Sequence, residues 1–188
     1  MIGCSPGGTP SGIGLLGDSI TWYMDQPPNT SAAILSYSPT FNSGVGSSTT
    51  SGMLSRTASL IAQNPKAIFI LGGVNDYPLG LTRAQTRDNL VAVANACLAA
   101  NVVPYVEGIL PVGPGYALYG GASAMNAEAT ARNAMTQAAL PAGAHWIDWG
   151  STLTSGDWTG DQIHLSASGY VKMNAALEHV FNEENRFV

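Results

Sequence analysis

Ser19 lies in Leu15-Leu16-Gly17-Asp18-Ser19-Ile20-Thr21, where a short apolar run stops at Gly-Asp-Ser and is followed by Ile20, Trp22 and Tyr23. The pattern reads as a buried strand turning sharply into a helix, with Ser19 at the helix N-terminus. Unpaired N–H groups there favour negative charge, so the position suits a nucleophile. A lone Gly-Asp-Ser is more often a helix cap, and the chemistry therefore depends on partners elsewhere. Of the three histidines, His145 starts an apolar strand and His179 lies on a helix, and both read as structural or surface residues. His164 follows Asp161 by three residues in Gly160-Asp161-Gln162-Ile163-His164, just before a helix. On one irregular or 3₁₀-like turn, residues three apart face the same way, so Asp161 can accept the Nδ1–H of His164 and leave Nε2 free. A turn cap and a helix cap are the plainer reading of the same pair. Acyl transfer to serine also needs donors for an oxyanion. Asn75 after a strand and Gly73, the Gly44 N–H and the Ser19 N–H are the candidates, although Asn-Asp and Gly-x-Gly are also ordinary turn sequences.

These residues need a scaffold that brings them to one edge. Residues 1–12 read as a surface tail, and Ile13 to Leu16 as the first strand. The helix after Ser19 should end by Pro27-Pro28, and a short helix is expected around Ser31 to Leu35. Pro39-Thr40-Phe41 is a second strand, and a helix runs from about Thr50 to Gln63. Lys66 to Leu71 has the continuous apolar character of a central strand covered on both faces. Thr82 and Gln85 have capping-box spacing and open a long helix with a buried stripe of Ala84, Leu90, Val91, Ala94, Cys97 and Leu98. A strand from Val102 to Leu110, a Gly/Tyr-rich loop from Val112 to Ala122, a helix from about Ser123 to Leu140 and a strand from Ala144 to Trp149 follow. After a polar loop, Ser151 to Ile163, Ser166 caps a final helix that buries Tyr170, Met173, Leu177, Val180 and Phe181. Strand and helix alternate five times, which predicts one domain over residues 1–188 with a parallel sheet and helices on both faces. Ligands bind such sheets at the carboxyl ends of the strands, where the loops holding Ser19, Gly44, Asn75, Tyr116/Tyr119 and Asp161 to His164 would gather.

Composition narrows the classes. Of 188 residues, 45% are hydrophobic and only 10% charged, with seven Lys+Arg and a net charge of −5. No basic patch is available to neutralise phosphates, so nucleic acid is excluded as a partner. The most apolar region, Leu90 to Pro114, is broken by Asn95, Asn101, Pro104 and Glu107, so no bilayer-spanning helix and a soluble protein are expected. Cys4 and Cys97 lack CxxC spacing and support neither a metal site nor a disulfide framework. Few charges and abundant Gly, Ser, Thr, Ala and Asn point to a secreted or extracytoplasmic protein. Met1-Ile2-Gly3-Cys4 is similar to the end of a lipoprotein signal, but without a positively charged apolar segment it reads as chance.

Gly17-Asp18-Ser19, Gly44 after Asn42, Gly73-Val74-Asn75-Asp76 and Asp161-Gln162-Ile163-His164 occur in the order and at about the separations of the four blocks of the SGNH hydrolases, or GDSL esterases. The resemblance runs from Gly14 to about Glu178, with Ile20 in place of the leucine of the family name. It implies a flavodoxin-like α/β/α sandwich around a parallel five-stranded sheet. It also implies Ser19 as nucleophile, His164 as base, Asp161 as its orienting acid, and Ser19, Gly44 and Asn75 as the oxyanion hole, with no cofactor or metal. Activity should then fall on the acid side, because a protonated histidine cannot act as base. Gly46 is the other possible donor in the second block; Gly44 is preferred because it follows Asn42 by two. Trp22, Tyr23, Tyr77, Tyr116, Tyr119 and Trp158 lie close in sequence to the site loops and suit a sugar ring or aryl group. The expected partner is a small-molecule or carbohydrate ester of a short acyl group. Longer-chain carboxylesters, lysophospholipids or thioesters are the alternative, and a carbohydrate- or flavin-binding domain is the non-enzymatic one.

Overall fold

The computed structural model describes residues 10–26, 39–149 and 152–185. Five strands, β1 (Ile13–Gly17), β2 (Thr40–Gly44), β3 (Ala67–Leu71), β4 (Val103–Glu107) and β5 (His145–Ile147), form one parallel sheet in the order β2-β1-β3-β4-β5. This is the doubly wound flavodoxin-like order, whose switch point lies between β1 and β3. The register sets Gly17 level with Gly44 on one side and with Leu71 on the other, so the loops after β1, β2 and β3 leave the sheet side by side.

β1 and β3 are buried along their whole length, which explains their unbroken apolar sequences. Alternate residues face opposite layers. Leu16, Ile68, Ile70 and Val106 meet Met53 and Leu60 of α2 (Thr50–Ile61) and Leu90, Val93, Ala94 and Cys97 of α3 (Arg83–Ala99). On the other face, Ile13, Leu15, Phe69, Leu71 and Tyr105 meet Ile20 of α1 (Ser19–Trp22) and Tyr170, Met173, Leu177 and Phe181 of α5 (Ala167–Asn185). Met125 and Ala129 of α4 (Gly121–Gln137) join this second cluster. Among the described residues, no helix is long and apolar enough to cross a membrane.

Several element ends differ from expectation. β2 continues to Gly44, whereas β4 stops at Glu107 and β5 at Ile147, because a strand is defined by its pairing partners and not by its apolar run. In α3 the Thr82–Gln85 capping box is present, but Thr86 and Val93 are buried where Ala84, Val91 and Leu98 are half-buried. The helix around Ser31 to Leu35, Cys4 and most of the N-terminal tail lie outside the described residues. Within the loop before α5, Ser155–Asp157 forms a 3₁₀ turn.

The two glycines of the β2–α2 loop are not equivalent. A Cβ on Gly44 would stand 2.3 Å from the Trp22 backbone nitrogen and 2.6 Å from its Cα, whereas one on Gly46 would meet nothing within 4 Å. Gly44→Ala should therefore destabilise the protein by about 1–3 kcal/mol, the usual range for overpacking against immovable atoms, and Gly46→Ala by much less. Thermal melting of the two variants beside wild type checks this; equal melting temperatures would contradict the close packing of α1 on β2.

Candidate active site

Asp18 caps α1, accepting the Ile20 N–H at 2.9 Å through Oδ1, and leaves Ser19 as the first residue of the helix. The turn is tight: a Cβ on Gly17 would lie 2.5 Å from the Leu71 carbonyl and within 2 Å of the Thr21 hydroxyl. Only glycine permits this approach. Ser19 Oγ lies 2.8 Å from His164 Nε2, and His164 Nδ1 lies 2.6 Å from Asp161 Oδ2. With the shared proton on Nδ1, Nε2 can take the hydroxyl proton of Ser19.

The acid and the base come from one self-braced loop. Asp161 Oδ1 accepts the N–H groups of Ile163 and His164, each at 3.0 Å, and the Thr159 hydroxyl at 2.7 Å. Thr159 N–H donates to the His164 carbonyl at 2.8 Å, and Gln162 takes a left-handed φ of 62° that reverses the chain. Trp158 and Leu165 close the loop as an antiparallel bridge. Burial opposes ionisation of Asp161, but hydrogen bonds from the His164 ring and N–H, then from Ile163 and Thr159, outweigh it and hold the carboxyl well below the usual range. The Tyr170 hydroxyl of α5 donates to the Ile20 carbonyl of α1 at 2.9 Å, tying the loop's helix to the serine's helix. Tyr23 sets its ring edge-on to His164, centroids 5.2 Å apart.

In the segment after β3, Asn75 Nδ2 donates to the Ser48 carbonyl at 3.1 Å. The neighbouring Asp76 is fully buried and anchors this segment. It accepts the Thr50 N–H at 2.9 Å, the Thr50 hydroxyl at 2.6 Å and the Thr86 hydroxyl at 2.7 Å. The N–H of Gly44, however, is already donated to Asn42 Oδ1 at 2.8 Å, while Asn42 Nδ2 holds the Thr21 carbonyl at 3.0 Å. An oxyanion at the Gly44 N–H would have to compete with that bond. Three residues on, Ser48 N–H closes a turn on the Val45 carbonyl, and Ser47 takes a left-handed φ of 57°. Ser47 is exposed and its N–H has no acceptor among the described residues.

Of the aromatic residues, Trp22, Tyr77 and Tyr119 are exposed beside the site loops. Tyr116 is buried in the α5-side core. Trp158 is half-buried and packs on that core. A cavity of about 250 Å³ opens beside His164, lined by Tyr23, Thr159, Asp161, His164 and Leu165. Among the described residues, no three His, Cys, Asp or Glu side chains are grouped to hold a metal ion. Cys97 is buried in the core, and burial pushes its thiol up to about 12.

Two acids lie buried behind the site. Desolvation raises the Asp18 carboxyl to about 7 and the Glu107 carboxyl to about 8, and Asp18 contributes to the rise at Glu107. An acid whose folded pKa is raised keeps its proton in the native state while the unfolded chain has lost it. Their contribution to stability is therefore greatest below the unfolded values of about 4 and falls as pH rises towards 7–8, by up to about 1.4 kcal/mol per pH unit per group. Urea unfolding at pH 5 and pH 8 should show the protein markedly weaker at pH 8, with a shallower slope in Glu107→Gln. A flat profile in wild type would contradict the burial of these groups.

The doubly wound parallel sheet thus carries a hydrogen-bonded serine, histidine and aspartate at its carboxyl edge. The sequence profile of the GDSL-like lipase/acylhydrolase family matches residues 15–172, and the chain belongs to that family. No curated protein sequence matches it. Among solved structures, the lipase/acylhydrolase from Enterococcus faecalis is similar at a TM-score of 0.73, with 19% identity over 93% of this chain and 96% of that one. The psychrotrophic esterase EstA from a Pseudoalteromonas species, inhibited by monoethylphosphonate, is similar at 0.65, with 18% identity over 92% and 99%. An acetyl xylan esterase is similar at 0.68, with 15% identity over 89% and 98%. At these identities the likeness shows the fold alone.

Proposed function

We propose that the protein is a serine esterase that hydrolyses short-chain acyl esters through an acyl-enzyme, with Ser19 as nucleophile, His164 as general base and acid, and Asp161 as the carboxylate that orients it. The observation that carries this reading is the continuous hydrogen-bonded chain from Ser19 Oγ through His164 to Asp161. Ser19 attacks the ester carbonyl as its proton passes to Nε2. The oxyanion is held by the Ser19 N–H, the Asn75 amide and the Ser47 N–H, which takes the part first given to Gly44. His164 then returns the proton to the departing alcohol, and water repeats the sequence on the acyl-serine.

The alcohol must leave from the His164 side, so the 250 Å³ cavity beside Tyr23 and Thr159 is its site. Exposed Trp22, Tyr77 and Tyr119 offer flat faces to a sugar or aryl group, and the fold is shared with an acetyl xylan esterase. An acetylated carbohydrate is accordingly the preferred substrate class, met outside the cytoplasm. Hydrolysis rates on p-nitrophenyl esters from acetate to a long-chain acyl group, with wild type and Ser19→Ala side by side, test the proposal. Acetate should be preferred; a long-chain preference would keep the serine chemistry and move the substrate to lipids or thioesters. If Ser19→Ala matches wild type, the nucleophile assignment fails.

A further inference from the structure

Arg56, on the second turn of α2, donates its guanidinium to three backbone carbonyls and one hydroxyl around the site. Nη2 donates to the Gly17 carbonyl at 2.9 Å and to the Ser43 carbonyl at 3.4 Å, the last residue of β1 and the last but one of β2. Nη1 donates to the Ser48 hydroxyl at 3.0 Å and to the Gly52 carbonyl of its own helix at 2.8 Å. Gly17 is two residues before Ser19, and its carbonyl also accepts the Val45 N–H at 3.1 Å. Ser48 is one residue after Ser47, and its own carbonyl receives the Asn75 amide. One planar fork thus joins the end of the strand that leads to Ser19 to the loop that carries the Ser47 N–H and, through the Ser48 carbonyl, receives the Asn75 amide.

We infer that Arg56 is the positioning residue of the oxyanion site: it holds the Ser47 N–H and the Asn75 amide in fixed relation to Ser19 Oγ. The inference rests on the reading of Ser19 as nucleophile. Its physical need lies in the backbone it restrains. The 45–48 loop is exposed at three of its four residues, and Ser47 sits in a conformation that favours glycine, so local propensity alone does not hold the turn. Arginine suits the task because its rigid fork meets several acceptors in one plane, which a lysine ammonium cannot do.

The test compares wild type, Arg56→Met, Arg56→Lys and Ser19→Ala on p-nitrophenyl acetate. Competent sites are counted by the stoichiometric burst of p-nitrophenol from a p-nitrophenyl alkylphosphonate, in which a bond forms between Ser19 Oγ and phosphorus and the aryl oxygen leaves. Turnover per competent site should fall about tenfold or more in Arg56→Met, less than the loss for a direct oxyanion donor, with KM changed by less than about threefold. Arg56→Lys should recover part of that loss, and the pH profile should keep its shape. Dividing by titrated sites removes any loss due to misfolding; if Arg56→Met does not fold, Arg56→Lys is read by the same ratio. Turnover per site within twofold of wild type in the folded variant overturns the role of Arg56. Wild-type activity in Ser19→Ala overturns the nucleophile instead, so the two failures are distinguishable.

Discussion

Ser19→Ala should lower kcat on p-nitrophenyl acetate by about 10⁴-fold or more, and His164→Ala by a similar factor, with the double variant little worse than either. The two side chains act as one unit. The proton that leaves Ser19 Oγ has Nε2 at 2.8 Å as its acceptor, and each is of little use without the other. Neither change should disturb the fold, because the His164 side chain is only partly buried and the loop around it is held by Thr159, Asp161 and the Trp158–Leu165 bridge. Steady-state kinetics on variants with wild-type melting temperatures decide the matter. A single variant retaining more than about one-hundredth of wild-type kcat would break the assignment.

Asn75→Ala carries the second large effect, a fall of about 10²- to 10³-fold in kcat with KM nearly unchanged. The carboxamide gives one N–H to the Ser48 carbonyl and so has the other to offer an oxyanion. Because Asp76 is anchored independently by Thr50 and Thr86, the backbone at residue 75 should stay in place when the side chain is cut. Affinity for a phosphonate that mimics the tetrahedral state should fall in step with kcat. A variant whose loss appears wholly in KM would instead mark Asn75 as a substrate-binding residue.

How much of this was legible in the sequence depended on how local the cause was. β1 and β3 stood out because burial on both faces demands an unbroken apolar run, and the Thr82–Gln85 cap because its partners are three residues apart. Asp161 and His164 were readable for the same reason. The bond that occupies the Gly44 N–H was not legible, because the Asn42 side chain that accepts it is a matter of rotamer and not of motif. Ser47 was hidden by the two glycines before it, which invited the unusual backbone but did not take it. Tyr116 was judged by nearness in sequence to a site loop, yet the chain folds it inward. The Asp76–Thr50–Thr86 network and the reach of Arg56 to Gly17 join common residue types across 10 to 39 positions, and no pattern announces them.

The bond between Ser19 and His164 spans 145 positions, and α1 is locked to α5 by Tyr170, 150 positions beyond Ile20. The nucleophile is therefore synthesised well before its base. While the chain is still emerging, the part from β1 to β4 can build most of the sheet without the residue that takes the serine proton. Esterase activity should appear only when α5 docks, so its onset times that late step of folding.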